Sequence, residues 1–217
     1  TKVGGKFIID YLIENFKNFK KVIIVTGYKS QKIINHLRLE KKIKNLIFVK
    51  NKNFLNTNMV ESFFKTKKFI NQDLVVTYSD IIFDKKIMQK LILKKETCLP
   101  LNSNWYKFWK LRTKNLIEIK NDAEDVSTSG DKIISIGSKI NKKLPKLQFM
   151  GLIKIVKKDY FQMLYLYTQL NNKQIDMTSF LNEYIKKKRI SFFKTSKYWF
   201  EIDNIKDSKI ATKNLKI

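Results

Sequence analysis

The sequence has few of the side chains that catalyse unaided. Among its 217 residues are one cysteine, Cys98, and one histidine, His36. A lone cysteine excludes an intramolecular disulfide and argues against a zinc cluster. Cys98 sits in "ETCLPL" and reads as a buried, inert thiol suited to a reducing cytoplasm. His36, in "KIINHLRLEKK", reads as a surface helix residue, so a Ser-His-Asp or Cys-His mechanism is disfavoured. Two prolines and six glycines leave no linker material, and no repeat is present. The chain therefore reads as one domain, 1–217. No apolar run reaches the ~20 residues of a membrane-spanning helix, and no signal-peptide pattern opens the chain. Carboxylates are scarce too, 19 against 45 basic residues, a net charge of +26.

That charge points first to nucleic acid. Arginine is almost absent, however: Arg38, Arg112 and Arg189 are the only ones. Nucleic-acid readers depend on arginine for bidentate contacts to phosphate and base. The lysines are spread as short pairs along the chain, a solvated shell and not a stripe. With abundant Asn and Ile they read as a bias toward A/T-rich codons. No specific nucleic-acid partner is expected, although the charge would draw in polyanions such as nucleotides.

What is present alternates. Helical spacing in "KFIIDYLIENFKN" leads to a short apolar strand, "KVIIVTG", ending at Gly27. A helix follows with Ser30 as its cap, then the strand "NLIFVKN", the helix "NTNMVESFFKTKKFI", the strand "DLVVTYSD" and the helix "DKKIMQKLILKK". This βαβαβα rhythm predicts an α/β fold: a mostly parallel, Rossmann-like central sheet flanked by helices. From residue 97 the pattern becomes a mixed α+β extension. "TCLPLN", "LIEIKN", "KIISIGSK" and "QFMGLIKIV" look like strands, then two helices, "ISFFKT", "KYWFEID" and a last helix.

Two apolar strands end in acids: "DLVVTYSDIIFD" at Asp80 and "YWFEIDNIKD" at Glu201 and Asp203. Carboxylates at adjacent strand ends can share Mg²⁺, which takes one or two of them plus phosphate oxygens and water. Asp80 and Asp203 read as metal ligands, Asp84 and Asp207 as helix caps. Asn56, Thr57 and Asn58 stand at a helix start, where free N–H groups suit an anion; simple capping is the bland alternative. Trp105 and Trp109 are four residues apart, spacing that usually means core but could wall a cationic ligand. "NDAED", with Asp122 and Glu124, is a solvated loop or a binding one. Neither a P-loop nor a Rossmann fingerprint occurs.

In the order "KVGGKFIIDYLIENF", "KVIIVTGYKSQKI", "NTNMVESFF", "TYSDIIFD", "NWYKFWKLR…NDAED", "IISIGSKI", "QFMGLIKI" and "WFEIDNIKDSKIA", these segments resemble a known family. It is the nucleotidyltransferases with a glycosyltransferase-A-like fold, in particular the choline-phosphate cytidylyltransferase-like enzymes. The resemblance spans essentially the whole chain. It implies Mg²⁺-dependent transfer of a nucleotidyl group, favouring CTP, to a small phosphate or phosphonate monoester such as phosphocholine, with release of pyrophosphate. A sugar-1-phosphate acceptor or a truncated, non-catalytic homologue remain alternatives. Residues 1–96 would form the nucleotide half and 97–217 the acceptor half. Gly27, Asn56, Thr57, Asn58 and Ser79 would lie at the nucleotide, Asp80 and Asp203 at the metal. Trp105, Trp109, Arg112, Asp122, Glu124, Gly151 and Glu201 would lie at the acceptor. The family's Gly-rich phosphate loop and the lysine of its P-K pair are missing, and Lys2 does not match that lysine. The expectation is a chain lacking a first strand and turn, inactive alone, with a gap or an unpaired edge in its sheet.

Overall fold

The computed structural model describes residues 1–141 and 143–215. Strands Lys2–Val3 and Lys6–Phe7 pair around Gly4 and Gly5, both at positive φ. Helix Ile8–Phe16 follows and buries Ile8, Leu12 and Phe16, one residue per turn on one face. Strand Val22–Thr26 then pairs in parallel with Leu46–Lys50, with helix Ser30–Asn35 and its wider continuation His36–Glu40 crossing between them. Ser30 is not the cap. Lys29, at φ 48, turns the chain into the helix, and Ser30 is its first residue.

The larger sheet runs in the order Leu74–Thr77, Leu152–Ile155, Cys98–Asn102, Ser191–Thr195, Lys132–Lys139, Glu124–Ser129. Its one parallel pair is Cys98–Asn102 with Ser191–Thr195, and its other neighbours are antiparallel. The expected α/β class stands, but the sheet is mixed. Leu152–Ile155 enters antiparallel between two strands that point the same way. Residues before and after position 97 thus share one sheet.

Strand alternation divides the core between the two faces. Leu99, Leu101, Ile153, Ile155 and Phe192 point to one side, against Phe64, Tyr160 and Phe180 from the helices Met59–Phe64, Lys157–Leu170 and Met177–Lys187. Cys98, Leu152 and Phe193 point to the other, against Leu91, Trp105 and Trp109 from the helices Lys85–Ile92 and Trp105–Arg112. Cys98 is buried, as expected.

Two segments depart from the sequence reading. "LIEIKN" is no strand but part of the helix Leu116–Asp122. Asn115 accepts from the Glu118 N–H at 2.9 Å, and Glu118 accepts from the Lys114 N–H at 2.7 Å. That reciprocal cap outweighs the alternating pattern. "NDAED" is not a loop: Asp122 ends this helix and Glu124 starts a strand, with buried Ala123 between them.

Candidate active site

A separate two-stranded pair positions the acids. Strand Ile81–Phe83 runs antiparallel to Trp199–Glu201, with Glu201 opposite Ile81. The Ile202 N–H then donates to the Asp80 carbonyl at 2.8 Å. Asp80 and Asp203 therefore leave neighbouring strands at the same end. Asp80 is not on strand Leu74–Thr77 itself but in the bend between that strand and Ile81–Phe83. The capping partners differ as well. Asp84 caps the next helix, accepting from Lys86 N–H at 2.8 Å. Asp207 does not cap; Asn204 does, at 3.1 Å from the Asp207 N–H, and Asp207 reaches back to the Asp203 N–H at 3.2 Å.

Arg112 joins the acids. Its guanidinium donates to Glu201 at 2.6 Å and to Asp203, and lies 3.6 Å from Asp207 and 4.0 Å from Asp122. Its ring-side face lies 5.5 Å from the centre of Trp109. One planar fork thus meets four carboxylates, and Asp80 stands alongside as a fifth. In a chain of +26, this is a local excess of negative charge. Burial pushes the Asp80 carboxyl up; its own backbone N–H and Arg112 pull it down, while Asp203 pushes it up. Burial also pushes Glu201 up to about 7, against the pull of Arg112.

A divalent cation is tested against Asp80. Its Oδ1 is buried and has no hydrogen-bond partner among the described residues. An orphaned carboxylate oxygen is costly, and a hard cation would satisfy it. No group of three or more His, Cys, Asp or Glu side chains closes around one point among the described residues. Two carboxylates completed by phosphate oxygens remain the fitting donor set.

The other expected site residues scatter. Trp105 and Trp109 are 2% and 3% exposed, packed edge to face with ring centres 5.5 Å apart. The spacing means core here, although the Trp109 ring also borders a narrow crevice with Arg112, Trp199 and Glu201. Trp105 Nε1 donates to the Pro145 carbonyl at 2.9 Å. Asp122 and Glu124 part company: Asp122 faces Arg112, while Glu124 accepts from Thr178 Oγ1 at 2.8 Å. Gly151 has a packing role. It adopts φ +67, and a Cβ there would lie 2.7 Å from the Tyr78 ring. Gly27 is also tight, since a Cβ would come 2.7 Å from the Phe54 ring.

At the other candidate segment, Asn58 caps helix Met59–Phe64, and Asn56 bonds to Asn53 at 3.0 Å. Asn51, which the sequence reading passed over, organises the loop. It is 1% exposed and donates to Thr57 Oγ1 at 2.9 Å and to Ser62 Oγ at 3.0 Å. Its signal was an asparagine directly after an apolar strand. Ser62 and the exposed Ser79 both line a cleft that ends at Asp80. His36 was also misread as a plain surface residue. Its ring bridges Asp10 and Glu40, each at 2.7 Å, and its side chain is only 12% exposed.

No family model matches the chain. It is 32% identical over 226 residues to a CTP:phosphoglutamine cytidylyltransferase of Campylobacter jejuni subsp. jejuni serotype O:2, covering 95% of this chain and 87% of that one. Its fold matches that of the inositol-1-phosphate CTP transferase of T. maritima, with a TM-score of 0.76 at 16% identity, covering 98% and 85% of the two chains. A UDP-glucose pyrophosphorylase complexed with UDP-glucose matches with a TM-score of 0.70 at 14% identity, covering 96% and 86%.

Proposed function

The chain belongs to the nucleotidyltransferases of the glycosyltransferase-A-like fold, and from that premise we propose that it transfers a cytidylyl group from CTP to a small phosphate or phosphonate monoester. The observation that carries the site is the convergence of Asp80 and Asp203 beside Arg112, with one buried Asp80 oxygen unpaired. An oxygen of the acceptor's phosphate attacks the α-phosphorus of CTP. A new P–O–P bond forms, the bond from the α-phosphorus to the bridging oxygen breaks, and pyrophosphate leaves with that electron pair. No side-chain nucleophile is required, in keeping with a single His and a single Cys.

Asp80 and Asp203 would hold Mg²⁺, which would supply charge neutralisation and alignment of the phosphates. Arg112 fixes the Asp203 and Glu201 carboxylates from behind with a rigid fork. Asn51 holds Thr57 and Ser62 where a nucleotide can lie along the loop. The cytidylyltransferase relative, whose name gives CTP and phosphoglutamine, supports CTP and a phosphorylated amide as acceptor; phosphocholine, with its quaternary ammonium, is the other candidate acceptor of this reading. A sugar-1-phosphate acceptor is the second reading, supported by the pyrophosphorylase neighbour.

Pyrophosphate release from CTP, UTP and dTTP against phosphocholine, phosphorylated amides and sugar 1-phosphates separates the two. CTP with an amine- or amide-bearing acceptor is the expected productive pair. Turnover only with UTP or dTTP and a sugar 1-phosphate would replace it with the second reading.

A further inference from the structure

Helix Lys157–Leu170 turns one side into the core through Tyr160, Met163, Leu166 and Tyr167. Its outer side carries Lys157, Lys158, Phe161 and Tyr165, which helical spacing sets along one stripe. Phe161 is 47% exposed and Tyr165 is 65% exposed. The end of helix Met177–Lys187 lies beside the start of this stripe. Lys188, just past that end, forms an ion pair with Asp159, and the Tyr184 hydroxyl donates to Gln162 at 2.9 Å. Lys186, Lys187, Lys188 and Arg189 are all exposed there. The fold thus gathers at one place cations that the sequence holds in two separate segments. The nearby acids are already engaged: Asp159 is buried against Lys188, and Glu183 pairs with Lys186.

This face lies away from the acids of the site. Asp80 follows strand Leu74–Thr77, whereas the Lys157 N–H donates at 2.9 Å to Asp73, which precedes that strand. The reaction proposed above makes no use of these residues. Lys157, Lys158, Lys187 and Arg189 make no ion pair among the described residues. Two aromatic rings left in water beside such unpaired cations mark a contact surface.

We propose that this face docks the protein on a bilayer that contains anionic lipid, with Phe161 and Tyr165 at headgroup level and the cations against lipid phosphates. Aromatic rings favour that depth, and each lysine close to an anionic membrane adds attraction. The helix lies on the surface and does not cross it. A second copy does not suit the face, because a two-fold pairing would set cations against cations. Nucleic acid suits it less well. Single strands are held in basic grooves, and these rings stand on the outer side of a helix. The inference stands apart from the reaction assigned above.

Co-sedimentation of the purified protein with vesicles tests it. The vesicles are phosphatidylcholine alone, or with about one-third phosphatidylglycerol, at about 0.15 M salt. The unaltered chain should bind the anionic vesicles and not the neutral ones. Lys157→Gln, Lys158→Gln and Lys187→Gln together should weaken that binding at least about tenfold. Phe161→Ser with Tyr165→Ser should weaken it about fivefold or more. The control, Lys17→Gln, Lys86→Gln and Lys213→Gln together, removes the same charge from exposed positions elsewhere and should change binding by less than about threefold. All the altered side chains are exposed, so the circular dichroism spectrum should not change. Equal losses in the two lysine variants would reduce the attraction to net charge and overturn the proposal. Full binding by the aromatic variant, or none by the unaltered chain, would overturn it as well. If the unaltered chain ignores the vesicles but holds a single-stranded oligonucleotide through Phe161 and Tyr165, the face belongs to nucleic acid. If it ignores them and sediments as a dimer that the aromatic changes dissolve, the face belongs to a second copy. Either result rejects the membrane.

Discussion

Strands Val22–Thr26 and Leu152–Ile155 would be taken from their sequences for the wrong neighbourhoods. "VIIVT" has no charged residue, yet its first four residues are only partly covered. "LIKI" contains a lysine and is buried throughout. Lys154 is accommodated because its ammonium donates to the Ile92 carbonyl at 3.0 Å and to the Lys94 carbonyl, with Asp73 at 3.8 Å. It satisfies the end of the helix Lys85–Ile92 that covers its sheet. Apolar composition thus marks which residues can be buried, and paired neighbours on both sides decide which are. The closed part of the sheet has those neighbours, and the open part, around the cleft, lacks them.

The sharpest test lies where the two parts meet, at Asp80. Asp80→Asn and Asp203→Asn should each lower cytidylyl transfer by at least about 100-fold, with an unchanged circular dichroism spectrum. Activity retained in either variant would remove that residue from the metal site and leave Asp80 as a structural consequence of the open edge.

Next come truncations in the two parts. Phe180 is fully buried in the closed part, and Phe180→Ala should cost about 3–5 kcal/mol in urea denaturation. Ile24→Ala, on the open wall, should cost about 1–2 kcal/mol, because less of its side chain leaves water on folding. Equal costs would mean that the cleft is closed in solution and would break the comparison.

The smallest effect belongs to His36, which ties helix Ile8–Phe16 to the helical segment beside strand Val22–Thr26. Burial works to lower its pKa, but the hydrogen bonds to Asp10 and Glu40 outweigh it, and the net direction is upward. A raised value means that its stabilisation is complete below the unfolded histidine value of about 6.5. That contribution is lost as pH rises through the folded value. Melting temperature should therefore fall modestly over that interval, and His36→Gln should flatten the fall. A steeper fall in the variant would contradict the ion-pair assignment.

The α/β class was legible because the first half alternates short apolar strands with amphipathic helices. That Asp80 and Asp203 stand close to apolar strands was legible too, but that Asp80 precedes strand Ile81–Phe83 beside Trp199–Glu201, and does not end Leu74–Thr77, follows only from the fold. The strand Leu152–Ile155 between two parallel-pointing neighbours was not legible, because pairing partners so far apart leave no local mark. "LIEIKN" misled for a different reason: its alternation is real, but Asn115 and Glu118 close a helix start around it. Trp105 and Trp109 showed a spacing shared by cores and binding walls, and only Trp199, 5.0 Å from Trp109, reveals which applies. Arg112 was visible as a rare residue, but that it binds two strand-end acids follows only from the fold.

That arginine has a consequence for how the sequence can drift. A single base change separates common arginine codons from lysine ones, and in this chain nearly every basic position is lysine. At Arg112 the exchange changes geometry as well as spelling. A lysine is a point charge and could face Glu201 or Asp203, whereas the guanidinium fork spans both. The carboxylate left over would be partly buried beside four others with no counter-ion. Codon bias can rewrite the surface of this protein without structural cost, but at this position it meets a limit set by the shape of one side chain.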